Sequence, residues 1–147
     1  MKRCVFCAIV EGSEPASAVY ESDRVLAFMT LQPTRPGECL LIPKEHIDHF
    51  TDVDEQSASE IMRAAIRIGR KIMEEFQPLR VGMLVHGFGV SHAHLILVPQ
   101  HDPNDITSGR FASIEDGKIV FDLRNIPQPE RAELDEHACR LRIEPEA

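Results

Sequence analysis

The most constraining stretch of the chain is residues 87–99, where two histidines alternate with aliphatic residues. The segment from 92 to 98 predicts a β-strand, because it is rich in aliphatic and β-branched residues and ends before a proline. Side chains alternate between the two faces of a strand, so His92, His94 and Ile96 would share one face. The intervening residues would face a core: Ala93, Leu95 and Leu97.

Two histidines in line on a strand allow two interpretations. In the first, both are core side chains, each satisfied by a hydrogen bond. In the second, a rigid and half-buried strand holds two imidazoles about 6–7 Å apart, an arrangement suited to catalysis or metal binding. Gly87 and Gly89 precede them and allow the backbone to turn sharply or to approach a ligand. The H-x-H pattern alone does not decide between the two.

The overall charge argues against one broad class of partner. With 16 Lys and Arg against 24 Asp and Glu, the net charge is −8, and a surface of this sign repels polyanions. We therefore expect no nucleic-acid groove. Any phosphate site has to be a local positive pocket built from histidines, lysines and backbone N–H groups.

Length and hydropathy limit the architecture. A chain of 147 residues suits a single domain, residues 1–147, with a core large enough to fold without disulfides. No stretch has 18 consecutive apolar residues, so no membrane span is predicted. The polar start of the chain lacks the apolar run of a signal peptide. We therefore expect a cytoplasmic protein that does not contact a membrane.

Short apolar segments between turns predict further strands. They cover residues 18–21, 24–30, 38–43, 80–86 and 118–123. The best-supported helix covers residues 54–76, where Asp52 or Asp54 caps the start and apolar residues recur every three or four positions. A second helix is predicted over 129–142. This mixture favours the α+β class: an antiparallel sheet with one long and one C-terminal helix packed against it.

Cys4 and Cys7 form a C-x-x-C pair, a spacing that lets two thiolates reach one metal ion. Without an export signal, such a pair serves metal binding or redox chemistry more often than a structural disulfide. A redox pair is typically found at the start of a helix that follows a strand, and no strand is predicted before Cys4. A closed zinc site needs two more ligands, for which four histidines are available: His46, His49, His86 and His92.

Three blocks of sequence, in this order, resemble the histidine triad (HIT) superfamily. The first is formed by residues 4–10 with 20–28, the second runs from Gln32 to His46, and the third is His92-Ala-His94-Leu-Ile96-Leu-Val-Pro99. Three ordered blocks are far more specific than an H-x-H pattern. The resemblance covers most of the chain and implies an α+β protein that forms a homodimer by extending its sheet across a two-fold axis.

The resemblance also implies chemistry at the α-phosphate of a nucleotide. The nucleophile of the superfamily, its middle histidine, matches His94, which would form a nucleotidyl-histidine intermediate that water or another acceptor resolves. Neutral imidazole is a competent nucleophile near pH 7, and a covalent intermediate divides one difficult step into two. Backbone N–H groups from Gly89 to Ser91 would stabilise charge on the phosphate.

The other subsites of the family are carried over residue by residue. The nucleobase pocket matches four apolar residues, each of which can equally be plain core: Phe6, Ile9, Phe28 and Leu31. In zinc-bearing branches the structural ligands match a Cys and His set: Cys4, Cys7, His46 and His92. His49 would substitute if His46 points away. As a zinc ligand, His92 would support the strand of His94 rather than take part in catalysis.

The chain departs from the family pattern at three places. Ile96 replaces the third histidine of the triad, and losing one hydrogen-bond donor to the transition state can cost about two to three orders of magnitude in rate. Thr30 aligns with the ribose-binding aspartate, so we expect weaker or different ribose recognition. The polar loop before the signature is shortened to residues 87–90. His101 lies beyond the strand and out of phase, so it does not replace the missing histidine.

These residues support three hypotheses. The first is an enzyme, a nucleotide hydrolase or nucleotidyl transferase that uses His94 on a dinucleoside polyphosphate or a nucleoside phosphoramidate and contains structural zinc. The second is a zinc-stabilised nucleotide-binding protein with little or no turnover, which Ile96 and Thr30 motivate. The third is a structural or interaction protein in which both histidines are core side chains. Turnover that depends on His94 would select the first.

Overall fold

A five-stranded antiparallel sheet lies at the centre of the molecule. The computed structural model describes residues 3–106 and 111–146. The strands of the sheet are β1 (Ala18–Glu21), β2 (Val25–Met29), β3 (Cys39–Pro43), β4 (Arg80–Val85) and β5 (Leu95–Gln100). They lie in the order β1-β2-β3-β5-β4, and each neighbouring pair is antiparallel. A separate two-stranded ribbon is formed by β6 (Ala112–Glu115) and β7 (Lys118–Phe121).

The helices begin and end where the sequence provides capping groups. They are α1 (Val5–Val10), α2 (Glu55–Phe76) and α3 (Arg131–Leu141). The long helix α2 starts where the Asp54 carboxylate accepts hydrogen bonds from the backbone N–H groups of Gln56 and Ser57. It ends at Gln77, whose φ of 50° is left-handed, directly before Pro78. Within the described ranges, none of the helices has the length and apolar character needed to cross a membrane.

Alternation along the strands gives the sheet two different faces. Odd-numbered residues of β2, β3 and β5 pack against the apolar stripe of α2 and against α3, and we call this the core face. Its members include Val25, Ala27, Cys39, Leu41, Leu95 and Leu97, with Ile68 and Ile72 from α2. Even-numbered residues pack against α1, and we call this the cleft face. Its buried apolar members are Leu26, Phe28 and Ile42, with Phe6 from α1.

The α+β prediction is confirmed, including the antiparallel sheet, the long helix and the C-terminal helix. The predicted boundary of the histidine strand is wrong, because β5 begins at Leu95 rather than at His92. The backbone N–H of Ala93 donates to the carbonyl of Ile47 at 2.6 Å, so this segment pairs with the loop after β3. β5 also continues through Pro99. After Leu97, the described part of the sheet pairs β5 with β4 alone, and such an edge position tolerates proline, which has no backbone N–H.

The chain after β5 differs from the prediction as well. The strand predicted over 118–123 is β7, and its partner β6 was not predicted. The polar segment 101–110 was expected to be a loop, and its residues 107–110 lie outside the described ranges. Its first half is fixed by Asp105, which accepts hydrogen bonds from Arg35 and from the backbone N–H groups of His101 and Asp102. Helix α3 starts two residues later than predicted.

Candidate functional site

Four predicted metal ligands, which come from three separate segments of the chain, meet at one point. Cys4 and Cys7 lie at the start of α1, His46 follows β3, and His92 precedes β5. Their ligand atoms all lie within 4.8 Å of one another. Cys7 Sγ is 3.2 Å from His46 Nδ1, whereas His92 Nδ1 is 3.6 Å from Cys4 Sγ and 3.7 Å from Cys7 Sγ.

The spacing of these atoms suits a tetrahedral metal ion. With metal–sulfur bonds of about 2.3 Å and metal–nitrogen bonds of about 2.0–2.1 Å, a sulfur and a nitrogen on one zinc ion are about 3.6 Å apart. Both separations from His92 Nδ1 agree with this value, at 3.6 and 3.7 Å. Two thiolates with two imidazoles are also a common donor set of structural zinc. The four residues therefore fit a zinc ion.

His92 is held in the protonation state that a metal ligand needs. Its side chain is fully buried, and its Nε2 donates to the Pro43 carbonyl oxygen at 2.8 Å. A carbonyl only accepts, so the ring proton is on Nε2 and the lone pair of Nδ1 faces the thiols. Burial lowers the pKa of His92, the bond to Pro43 raises it, and the neighbouring His46 and His94 lower it further, so the net shift is downward. The ring therefore stays neutral near pH 7.

The other two candidate histidines lie outside this cluster. The exposed ring of His49 lies 3.8 Å from the carboxylate of Asp48. The ring of His86 packs against Phe88 at a centroid separation of 5.9 Å. His46 points into the cluster, so the substitution of His49 for His46 is not needed.

The predicted nucleophile, His94, has a defined tautomer. Its Nδ1 donates to the backbone carbonyl oxygen of His92 at 2.7 Å. Because a carbonyl only accepts, the proton is on Nδ1 and Nε2 keeps its lone pair. The ring is half-buried and packs edge to face with Phe6 at a centroid separation of 5.4 Å. The bond fixes the orientation of the ring, and the neutral form of this tautomer has its lone pair on Nε2, as nucleophilic catalysis requires.

His94 lines a cleft of about 540 Å³, a volume in the range of small-molecule sites. Six of the seven residues predicted to bind substrate line it: Phe6, Ile9, Phe28, Thr30, Leu31 and Gly89. The rings of Phe6 and Phe28 meet edge to face at 5.5 Å, and both also belong to the apolar cluster of the cleft face. Ser91, the seventh, is exposed and is not among the lining residues.

Ile96 lines the same cleft as His94. It is half-buried and lies opposite Leu40 of β3 in the strand register. An aliphatic side chain at this point offers no hydrogen bond to a ligand. His101 is exposed and is not among the lining residues of the cleft, so it does not compensate for Ile96.

The sequence interpretation missed three charged residues of the cleft: Glu14, Glu38 and Arg131. Glu38 is only 5% exposed. Burial raises the pKa of its carboxyl, and the hydrogen bonds from Thr34 partly offset that rise. The position of Glu38, directly before an apolar strand, could have identified it as a candidate site residue. Arg131 reaches the cleft from the start of α3, far along the chain, and no local pattern indicates its position.

Comparison with known proteins bears on both the fold and the site. The sequence profile of the HIT domain family matches residues 11–102. The "Protein hit" of Bacillus subtilis is 31% identical over 130 residues, covering 85% of this chain and 90% of that protein. An adenosine 5'-monophosphoramidase of Schizosaccharomyces pombe is 33% identical over 104 residues, covering 69% of this chain and 76% of that protein. The crystal structure of a zinc-bound histidine triad family protein from Mycobacterium smegmatis has a TM-score of 0.69 and 27% identity, covering 95% of this chain and 90% of that chain.

Proposed function

The chain belongs to the HIT domain family, and from this premise we propose that it is a nucleotide hydrolase or nucleotidyl transferase that acts through His94. The tautomer of His94 is the observation that supports this most: the bond to the His92 carbonyl places the proton of the neutral ring on Nδ1 and the lone pair on Nε2, and His94 lines a cleft of about 540 Å³. The substrate class is a dinucleoside polyphosphate or a nucleoside phosphoramidate. Similarity to an adenosine 5'-monophosphoramidase favours the phosphoramidate.

In the proposed reaction, His94 Nε2 attacks the α-phosphorus of the nucleotide. A phosphorus–nitrogen bond forms, and the bond to the leaving group breaks, with its electron pair going to the leaving group. Water or another acceptor then attacks the same phosphorus and releases the imidazole. The apolar wall of the cleft would hold the nucleobase: Phe6, Ile9, Phe28 and Leu31. The backbone of Gly89 and of Ser91 would stabilise charge on the phosphate oxygens.

The same proposal includes a structural zinc ion. Its ligands would be Cys4, Cys7, His46 and His92, whose donor set and spacing fit the ion. Bound zinc would tie the start of α1 to the segments that follow β3 and precede β5. His92 would then have two functions, since its ring binds the metal and its backbone carbonyl orients His94. His92 would thus act on the reaction only as a positioning residue.

We also propose that the protein is a homodimer with β4 at its interface. Among the described residues β4 is the last strand in the sheet order, so no described strand pairs with its outer edge. Met83 and Val85 on β4 are 46% and 43% exposed, and α2 exposes Met62 and Ile66. Pairing of two β4 strands across a two-fold axis would provide hydrogen-bond partners for the edge backbone groups and would cover these side chains.

Light scattering after size-exclusion chromatography tests the dimer. The parent is expected to have twice the mass of one chain, and Met83→Lys is expected to run as a monomer. Ile119→Lys is the matched control, because Ile119 is 68% exposed on the separate ribbon. A monomeric parent, or a control that dissociates as readily as Met83→Lys, would contradict this interface.

Ile96 favours one alternative function, a zinc-stabilised nucleotide-binding protein with little or no turnover. The side chain lines the cleft with His94 but offers no donor to a transition state. Such a protein would bind nucleotides in the same cleft and release no product.

Turnover of adenosine phosphoramidate by metal-quantified protein separates the two functions. We expect AMP release by the parent and a loss of at least about 1,000-fold in His94→Asn, with zinc content and thermal midpoint unchanged. A His94→Asn variant as active as the parent would refute the nucleophile. A parent that binds nucleotide and a full complement of zinc, but releases nothing, would be the binding protein.

A further inference from the structure

Glu38 is a buried acidic side chain of the cleft to which the proposed reaction assigns no task. It is 5% exposed, yet it lines the cleft together with Thr30 and His94. A carboxylate is costly to bury unless hydrogen-bond donors compensate for the lost water. Glu38 lies directly before β3, in line with the apolar residues Leu40 and Ile42, so its carboxylate needs hydrogen-bond partners.

The described donors satisfy one side of this carboxylate. Both the backbone N–H and the hydroxyl of Thr34 donate to Glu38 Oε2, each at 2.7 Å. Across residues 3–106 and 111–146, every hydrogen bond to this carboxylate reaches Oε2. The two bonds fix the side chain and leave Oε1 to accept from a ligand in the cleft.

The strand register places this carboxylate next to Thr30. Met29 lies opposite Cys39, and the backbone N–H of Thr30 donates to the Glu38 carbonyl at 3.3 Å. Residues directly opposite each other in an antiparallel pair have their side chains on the same face, about 4.5–5.5 Å apart at Cβ. Thr30 and Glu38 are therefore neighbours on the cleft face.

The same face leads from Glu38 to the nucleophile. Leu40 lies opposite Ile96 in the register of β3 and β5, so on the cleft face Ile96 lies between His94 and the row that carries Glu38 and Thr30. The group next to an α-phosphate in a nucleotide is the ribose. A phosphate held at His94 would therefore place the ribose diol within the part of the cleft that Glu38 and Thr30 line.

We propose that Glu38 accepts hydrogen bonds from the ribose hydroxyls and is the residue that makes the cleft selective for ribonucleotides. The inference rests on the proposed nucleotide chemistry at His94. Vicinal hydroxyls are donors, and a fixed carboxylate is the strongest acceptor for them in a site largely shielded from water. Phosphate oxygens are excluded as its ligand, because two anions repel each other. The carboxylate, directly before β3, thus supplies the ribose contact that Thr30, directly after β2, does not provide.

Calorimetric binding of AMP and of 2',3'-dideoxy-AMP to the full-length protein tests this assignment. We expect the parent to bind AMP roughly 10- to 100-fold more tightly, the usual effect of hydrogen bonds to a charged group. Glu38→Ala is expected to lose this preference by weakening AMP binding alone. Glu14→Ala is the matched control, because Glu14 is an acidic residue that lines the same cleft, and it should keep the preference.

Glu38→Gln distinguishes loss of the acceptor from a folding defect, because the glutamine side chain has nearly the same shape as that of glutamate. It should retain dideoxy-AMP binding and show an AMP preference at least about threefold lower, because a neutral amide is a weaker acceptor. Equal weakening of both ligands in Glu38→Ala and Glu38→Gln would overturn the proposal and leave Glu38 as a support for Thr34. A parent that binds both ligands equally also overturns it. A parent that binds neither would defeat the proposed nucleotide function itself.

Discussion

The core face and the cleft face are made by the same strands, yet different interactions stabilise them. On the core face, α2 and α3 cover aliphatic side chains such as Leu41 and Leu97, which are fully buried. On the cleft face, the short helix α1 covers the sheet, and Glu38, His92 and His94 each have a specific hydrogen bond. Burial of apolar surface is non-directional, whereas each buried polar group needs its own partner.

The comparison shows that a residue that stabilises the core and a residue that lines the cleft can be adjacent in one strand. Ile96 lines the cleft and Leu97 belongs to the core, although they are adjacent in β5. A change on the core face should therefore reduce the free energy of unfolding, and a change on the cleft face should mainly alter binding, metal content or rate.

The largest effect is expected from the metal ligands. Cys7→Ser is predicted to weaken zinc binding by at least about 100-fold, because it removes one of four ligands from a site that couples metal binding to folding. Elemental analysis and thermal unfolding would measure both consequences. Cys139→Ser is the control, since Cys139 is exposed on α3 and lies outside the cluster. Equal zinc content in the two variants would mean that the cluster is not the metal site.

The adjacent residues of β5 test the comparison directly. Leu97→Ala is predicted to lower the free energy of unfolding by about 2–5 kcal/mol, because it leaves a cavity in a close-packed core. Ile96→Ala should cost less than half as much, because its side chain is only half-buried. Urea unfolding of both variants measures the difference. Similar losses at the two positions would show that the cleft face is part of the stabilising core.

Restoring the third histidine should affect the rate and not the fold. Ile96→His is predicted to raise the turnover number for adenosine phosphoramidate by roughly 10- to 100-fold, because it adds one donor near the reacting phosphate. The midpoint of thermal unfolding should change little. Steady-state kinetics at saturating substrate provides the measurement, and a rate no higher than that of the parent would mean that position 96 does not reach the leaving group.

The smallest effect is expected at Asp105, which belongs to neither face. Burial raises the pKa of its carboxyl, but donors from Arg35, His101 and Asp102 outweigh burial and hold the pKa below its ordinary value of 3.8. A lowered pKa means that the carboxylate stabilises the fold fully above about pH 4 and that this contribution is lost as the pH falls through the folded-state pKa.

Asp105→Asn is accordingly predicted to lose about 1–3 kcal/mol of unfolding free energy at pH 7. The gap between variant and parent should close as the pH falls below the ordinary carboxyl value. Chemical unfolding at pH 7 and pH 3 measures this dependence. A gap that stays constant with pH would assign the effect to packing instead of charge.

Much of the core face was predictable from the local pattern of apolar residues. A strand or helix with a regular apolar period has one apolar face, and few arrangements can bury that face. The spacing of Ile61, Ile68 and Ile72 predicts the buried stripe of α2, and the structure confirms it. The start of β5 was not predictable, because the bond between Ala93 and Ile47 depends on where the loop after β3 lies.

The cleft face is harder to predict because its partners are far apart in sequence. Cys4 and His92 are 88 residues apart, and only the family resemblance brings them together in advance. The orientation of His94 needs the backbone path of the preceding two residues, which no residue pattern specifies. The bond from Thr34 to Glu38 likewise depends on the turn between β2 and β3.

The hydrogen bond that orients His94 ends on a main-chain oxygen of residue 92. A main-chain acceptor cannot be removed by replacing a side chain, so the position of the imidazole proton is insulated from substitution. A different side chain at position 92 would therefore leave the acceptor of His94 Nδ1 in place. Loss of the predicted metal site would thus not by itself remove the hydrogen bond that orients His94.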